Sequence, residues 1–427
     1  MPVETKQQNG FLTLSEYVAK WWSGISKPGK TALFTAFIAG FIVHIASITG
    51  LNVNWDSLVS LKNDGFPDML QQGKWFTPIL VQLRGIVQMG SLDGILALFW
   101  LSVACVMLVR ILRIQSCLYA GLMSLIIVTM PSVMCASVYP AEDIFIFAFF
   151  LSVLAVYCVL FVKRGYLWGT VALVFSLGTY QAYIGFTAGL FVLVCLMSAL
   201  QNQKPIRFTL LTGLKYIAVL AVGVLLYYGI LKLILAITHL PRSNYRGIDK
   251  MEAFNLAGLP SLVYSAYKVL AGFMLVDYWG FGWNSILPGS NASAILSQIQ
   301  LNRCAVAYPL IVIITVVLLI WSCIRHGLFK KGNRWNLLLV LCLTALFPLA
   351  VSAIAILGQN AYTHWIMKYP FVLLFVFPVL LMDELETDLQ NMRFNLKRKP
   401  HKAAMFLQIA SVAICGFTVF NWFLITN

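Results

Sequence analysis

Residues 144–162 read IFIFAFFLSVLAVYCVLFV, with Glu142-Asp143 before them and Lys163-Arg164 after. As a helix rising about 1.5 Å per residue, such a run covers about 30 Å, the hydrocarbon thickness of a bilayer. Polar and apolar positions do not alternate in it, so it does not read as a barrel strand. In lipid the backbone must satisfy its own hydrogen bonds, and a helix does this within one segment. The stretch therefore predicts a membrane-spanning helix.

The pattern recurs along almost the whole chain. Apolar runs at 31–49, 92–109, 114–131, 166–178, 183–200, 210–237, 305–323, 336–357, 369–382 and 403–424 join it, giving about eleven spans. Composition agrees: of 427 residues 60% are hydrophobic and 11% charged, with a mean hydropathy of +0.84. The expected fold is all-α, a polytopic helical membrane bundle. Residues 1–30 form an interfacial N-terminal segment with Trp21-Trp22 and a Pro-Gly break at 28–29, and 31–427 form a single transmembrane domain. No short apolar core with a small-residue cleavage site precedes 31–49, so that span is expected to act as the insertion signal.

A net charge of +15 raises nucleic acid as a partner, but the distribution of charge argues against it. Lys and Arg concentrate in the N-terminal segment and at the turns after 109, 162, 200, 323 and 382. By the positive-inside rule these are cytoplasmic, and the basicity sets topology and meets anionic lipid headgroups. The outer loops are then 50–91, 132–143 and 239–304. The apolar stretch 260–276 is open between interfacial, re-entrant and spanning, although a full crossing would carry the basic loop 325–334 outside. Nine cysteines are scattered singly, without a CxxC pair, and read as small hydrophobes.

Pumps and ion-coupled transporters place ionisable groups near the bilayer midplane. Here only His44 lies well inside a span, while Lys215 and Lys232 are near enough to ends to snorkel. Acids and aromatics gather in the outer loops instead. Asp56, after Trp55 and just beyond 31–49, is placed to act as general base toward an acceptor hydroxyl attacking a sugar carbon. Its plainer reading is a turn or cap residue. Asp64, like Asp68, has turn-forming neighbours and ranks behind it. Glu142 and Asp143 suit a helix N-terminus, where a carboxylate is stabilised by about 0.3–1 kcal/mol, yet two adjacent acids exceed what a cap needs.

Tyr180 and Gln181 offer groups that bond sugar hydroxyls or satisfy helix-end carbonyls. Lys74, Arg84, Arg242, Arg246 and Lys368 are cations on the face where the topology rule disfavours them. Together they are candidates for holding a departing phosphate; singly, each also reads as a headgroup contact. Trp55, Trp75 and His364 complete the candidate substrate contacts. His364 and His239 lack ligand-spaced partners, so neither a metal site nor a cofactor is expected.

Asp56, Gly73-Lys74-Trp75, the acids at 142–143 ahead of a run ending Leu154-Ala155-Val156-Tyr157, and Ser176-Leu177-Gly178-Thr179-Tyr180-Gln181-Ala182-Tyr183-Ile184 together resemble the bacterial membrane glucosyltransferases of the serotype-conversion type. The resemblance is strongest at Leu177–Tyr183; beyond residue 240 it rests on length and span pattern. It implies a GT-C-like enzyme of the bacterial cytoplasmic membrane that takes glucose from a polyprenyl-phosphate donor and places it on a surface polysaccharide. It also implies a catalytic acid in the first outer loop, at Asp56. This chain departs in having Trp55-Asp56 where the family often has two adjacent acids, and Gly73-Lys74-Trp75 where it has Gly-Arg-Trp. The expected partners are the lipid-linked sugar donor, a glycan acceptor and membrane lipid. A polysaccharide polymerase or ligase, or a lipid-linked sugar flippase, is the alternative.

Overall fold

The computed structural model describes residues 13–50, 65–85, 90–137, 142–243, 258–275, 303–357, 363–396 and 402–426. Asp56, Asp64, Trp55 and Arg246 lie outside the described residues. Helices α1 (Leu14–Gly24) and α2 (Lys27–Thr49) come first, followed by the short α3 (Gly65–Gln71) and α4 (Thr77–Arg84). Then come α5 (Gly90–Leu112), α6 (Cys117–Thr129), α7 (Pro131–Ser137), α8 (Glu142–Phe161) and α9 (Gly165–Thr179). A 3-10 turn, Gln181–Tyr183, leads into α10 (Ile184–Leu200), α11 (Ile206–Thr238), α12 (Leu259–Leu275), α13 (Arg303–Arg325), α14 (Arg334–Val351) and α15 (Ala353–Leu357). A second 3-10 turn, Trp365–Phe371, precedes α16 (Val372–Leu396) and α17 (Lys402–Thr426). No strand occurs among the described residues, and the fold is the all-α membrane bundle expected.

Nine helices among the described residues are long and apolar enough to cross a membrane. Helices α6 and α9, with 13 and 15 residues, occupy two of the places where the sequence predicts spans. At about 1.5 Å per residue they reach only about 20 and 22 Å. Helices pack in lipid through close backbone approach at small residues rather than through a hydrophobic drive. Accordingly α2 turns Ala32, Ala36, Gly40 and Val43 inward against α5 and α6, and a Cβ on Gly40 would stand 2.6 Å from Leu98 Cδ2.

Helix α7 packs against the turn Trp365–Phe371, which meets the turn Gln181–Tyr183. These irregular pieces therefore share one end of the bundle. The connections α5–α6, α8–α9, α10–α11 and α13–α14 lie at the other end, where the chain carries Arg113, Arg164, Arg207, Arg325 and Lys330. Arg113 and Arg164 reverse the chain in the left-handed region, at φ 57° and 58°, which is sparsely used by residues with a Cβ.

The sequence reading ends a span at 382 and gives 383–402 to an inner loop, helical in pattern. The helix there continues α16 without a break to Leu396, and Asp383 is buried. The reason is that its carboxylate accepts hydrogen bonds from the backbone N–H of Gln115 (3.0 Å) and Ser116 (2.8 Å), capping α6. The stretch at 260–276 is α12, packed on α13, α14 and α15. Its Phe273 ring lies 5.5 Å from Tyr308 and 5.2 Å from Phe371, which brings its C-terminal end beneath the second 3-10 turn.

Candidate active site

Gly73-Lys74-Trp75 forms the turn between α3 and α4, and Leu177–Tyr183 closes α9; the two segments interlock. Phe76 N–H donates to Gly178 O (2.8 Å), and Thr77 Oγ1 donates to Thr179 O (3.0 Å), so the α3–α4 segment caps the last carbonyls of α9. Trp75 lies flat against Gly178, where a Cβ would stand 2.5 Å from the indole. Gln181 Nε2 donates to Gln72 O (2.8 Å) and to the Tyr227 hydroxyl (2.9 Å), and that hydroxyl donates to Gly73 O (3.1 Å). Gly73 has φ 80°, and a Cβ there would stand 2.7 Å from Gln181 Nε2. Glycine is therefore required twice over, by conformation and by space. The turn presents Lys74, whose ammonium lies 5.8 Å from the Phe145 ring and 5.7 Å from the Tyr180 ring.

At the far end of α4, Arg84 joins three elements. Its Nη1 stands 2.6 Å from Asp143 Oδ1, at the start of α8, and 3.2 Å from Asp93 Oδ1, in the first turn of α5. All three side chains are at least nine-tenths buried. Glu142 is 7% exposed. Among the described residues it makes no hydrogen bond or ion pair, and its charged neighbours are Asp143 and Asp93. Adjacent acids thus differ: Asp143 is held by a guanidinium, while among the described residues Glu142 meets no cation.

A second lysine reaches the same end on the turn Trp365–Phe371. His364 caps this turn, accepting from Ile366 N–H at its Nδ1 (3.4 Å) and from Met367 N–H at its carbonyl (2.9 Å). Lys368 is 8% exposed as a residue, and its Nζ lies 4.8 Å over the Trp365 ring. Tyr369, fully buried, packs at a tilt against Phe149 and edge-on against Phe186, and its hydroxyl donates to Ile127 O at the end of α6 (3.1 Å). The neighbouring carbonyl, Val128 O, accepts from His44 Nε2 (2.8 Å).

Cys135 of α7 sits within electrostatic range of both Lys368 and Tyr183. Burial pushes its thiol up to about 12, with Lys368 opposing the rise, so it stays neutral near pH 7. The Tyr183 ring is in turn 5.0 Å from Tyr180. Lys74 is thus linked through the Tyr180 and Tyr183 rings toward Cys135 and Lys368 at this end.

Of the predicted residues, Lys74, Trp75, Arg84, Glu142, Asp143, Tyr180, Gln181, His364 and Lys368 come together at this end. Arg242 follows α11 and donates from Nη2 to the Tyr228 hydroxyl (2.8 Å), while Ser243 N–H reaches Gln71 O at the end of α3 (3.1 Å). Two participants were missed by sequence reasoning. Asp93 begins a span just past the limit drawn for the first outer loop, and an acid at that edge was its available signal. Tyr227 carries no such signal, being one tyrosine in an apolar helix.

The sequence model of the family described as Glucosyl transferase GtrII matches residues 31–381, from α2 to the middle of α16. No curated protein and no solved structure matches the chain.

Proposed function

The chain belongs to the GtrII glucosyl transferase family and is a glycosyltransferase; from that premise we propose that it moves glucose from a polyprenyl-phosphate donor to a surface glycan at the outer face of the bacterial cytoplasmic membrane. The observation that carries this reading is the convergence, at the end opposite the basic turns, of two lysines, a buried glutamate and several aromatic rings. With the basic turns cytoplasmic, that end faces outward. The donor's phosphate lies against Lys74 and Lys368, and its apolar tail stays in lipid.

The reaction is an inverting displacement. An acceptor hydroxyl oxygen bonds to the anomeric carbon as the bond from that carbon to the phosphate oxygen breaks, through an oxocarbenium-like state. The hydroxyl proton passes to a carboxylate, Asp56 as first candidate and Glu142 as second. Polyprenyl phosphate leaves as an anion against the two ammonium groups, without protonation by a strong acid. Arg84 does not enter this scheme as a phosphate ligand, because Asp143 and Asp93 occupy it. It braces α4 against α5 and α8 instead.

The test is transfer in membranes supplied with labelled polyprenyl-phosphate-glucose, comparing wild type, Asp56→Asn and Glu142→Gln at equal expression. Loss of about a hundredfold or more in Asp56→Asn is expected for a general base. Loss confined to Glu142→Gln moves the base there, and undiminished transfer in both variants ends the assignment.

A further inference from the structure

Tyr227 stands on α11, 3% exposed, more than a hundred residues along the chain from the turn it touches. Through its hydroxyl and the Gln181 amide, hydrogen bonds reach Gln72 O and Gly73 O, the two consecutive carbonyls that precede Lys74. The space is closed, because a Cβ on Gly73 would overlap the Tyr227 hydroxyl. We propose that Tyr227, acting with Gln181, is a positioning residue that fixes the Gly73 turn and so presents Lys74 to the phosphate of the donor. The inference rests on the reading of Lys74 as a phosphate-holding cation.

The physical ground is the peptide between Gly73 and Lys74. In the bundle its carbonyl needs a donor, and Tyr227 supplies one. Without that bond the peptide is held on one side only, by Lys74 N–H to Met69 O (2.8 Å), and its tilt, which carries the Cα of Lys74, is less fixed. Misplacement by about 1 Å is enough to weaken a charge contact that acts in the transition state. Tyr227 touches neither donor nor acceptor in this arrangement, so its effect must pass through Lys74.

The test is a double-mutant cycle in the full-length protein, assayed in membranes with labelled polyprenyl-phosphate-glucose. Tyr227→Phe is expected to lower kcat/KM for the donor about tenfold, with the KM for the acceptor little changed and the thermal unfolding midpoint lowered no more than Tyr369→Phe lowers it. Lys74→Ala lowers it further, and the double variant Tyr227→Phe/Lys74→Ala matches Lys74→Ala alone. Gln181→Met, which keeps volume but removes the amide, reproduces Tyr227→Phe without adding to it, and stands in for that variant if it accumulates poorly. Multiplying losses in the cycle, or a silent Tyr227→Phe beside an impaired Lys74→Ala, overturn the inference alone. A silent Lys74→Ala overturns the phosphate reading and the inference with it.

Discussion

Two turns bring a lysine to the same end of the bundle, and they are held by different forces. The Lys74 turn is held by polar contacts and close approach: hydrogen bonds from Gln181 and Tyr227, two glycines without room for a Cβ, and the ion pairs of Arg84 one helix further on. The Lys368 turn is held by rings, with Tyr369 and Phe371 packed among Phe149, Phe186 and Phe273. Polar contacts fix direction, whereas ring packing is adaptable and mainly excludes water. On the proposed reading, the first turn sets the geometry of its lysine and the second excludes water around its own.

Substitutions can break this contrast, the largest effect falling on the ionic brace. Arg84→Met leaves Asp93 and Asp143 buried without their shared cation and is expected to cost about 3–5 kcal/mol, as removal of one partner from a buried pair does; thermal unfolding in detergent reads it. Gly178→Val forces its side chain into the Trp75 indole, at about 1–3 kcal/mol, with a shift in tryptophan fluorescence and reduced transfer. Tyr369→Phe removes only the hydrogen bond to Ile127 O and should cost about 1 kcal/mol, leaving transfer near the wild-type rate. If Tyr369→Phe proved more damaging than Gly178→Val, the assignment of polar precision to one turn and ring packing to the other would be reversed.

The sequence made the helices legible because lipid demands continuous apolar runs, and runs such as 144–162 leave no competing structure. The apolar stretch at 166–178, counted there as a span, is the short α9 of 15 residues. The family resemblance, explicit only to about residue 240, extends as a match to residue 381. Pairings between distant segments were not legible. Gln181 and Tyr180 are adjacent, yet one is committed to the carbonyl of Gln72 and the other lies beside Lys74, and nothing in the local sequence separates them. Asp143 and Glu142 differ for the same reason: Arg84, 59 residues away, pairs with one of them.

Both lysine turns also share a task set by the short helices. The last carbonyls of α9 are met by Phe76 and Thr77, and those of α6 by Tyr369 and His44. A helix that stops inside a membrane has no water to finish its hydrogen bonds, so each turn serves as its solvent. If either turn were to swing as a hinge it would strand the carbonyls it meets, Gly178 O and Thr179 O or Ile127 O, at about 1–3 kcal/mol apiece. On the proposed reading, adjustment to the donor phosphate therefore falls to the two lysine side chains, while the backbone that carries them stays still.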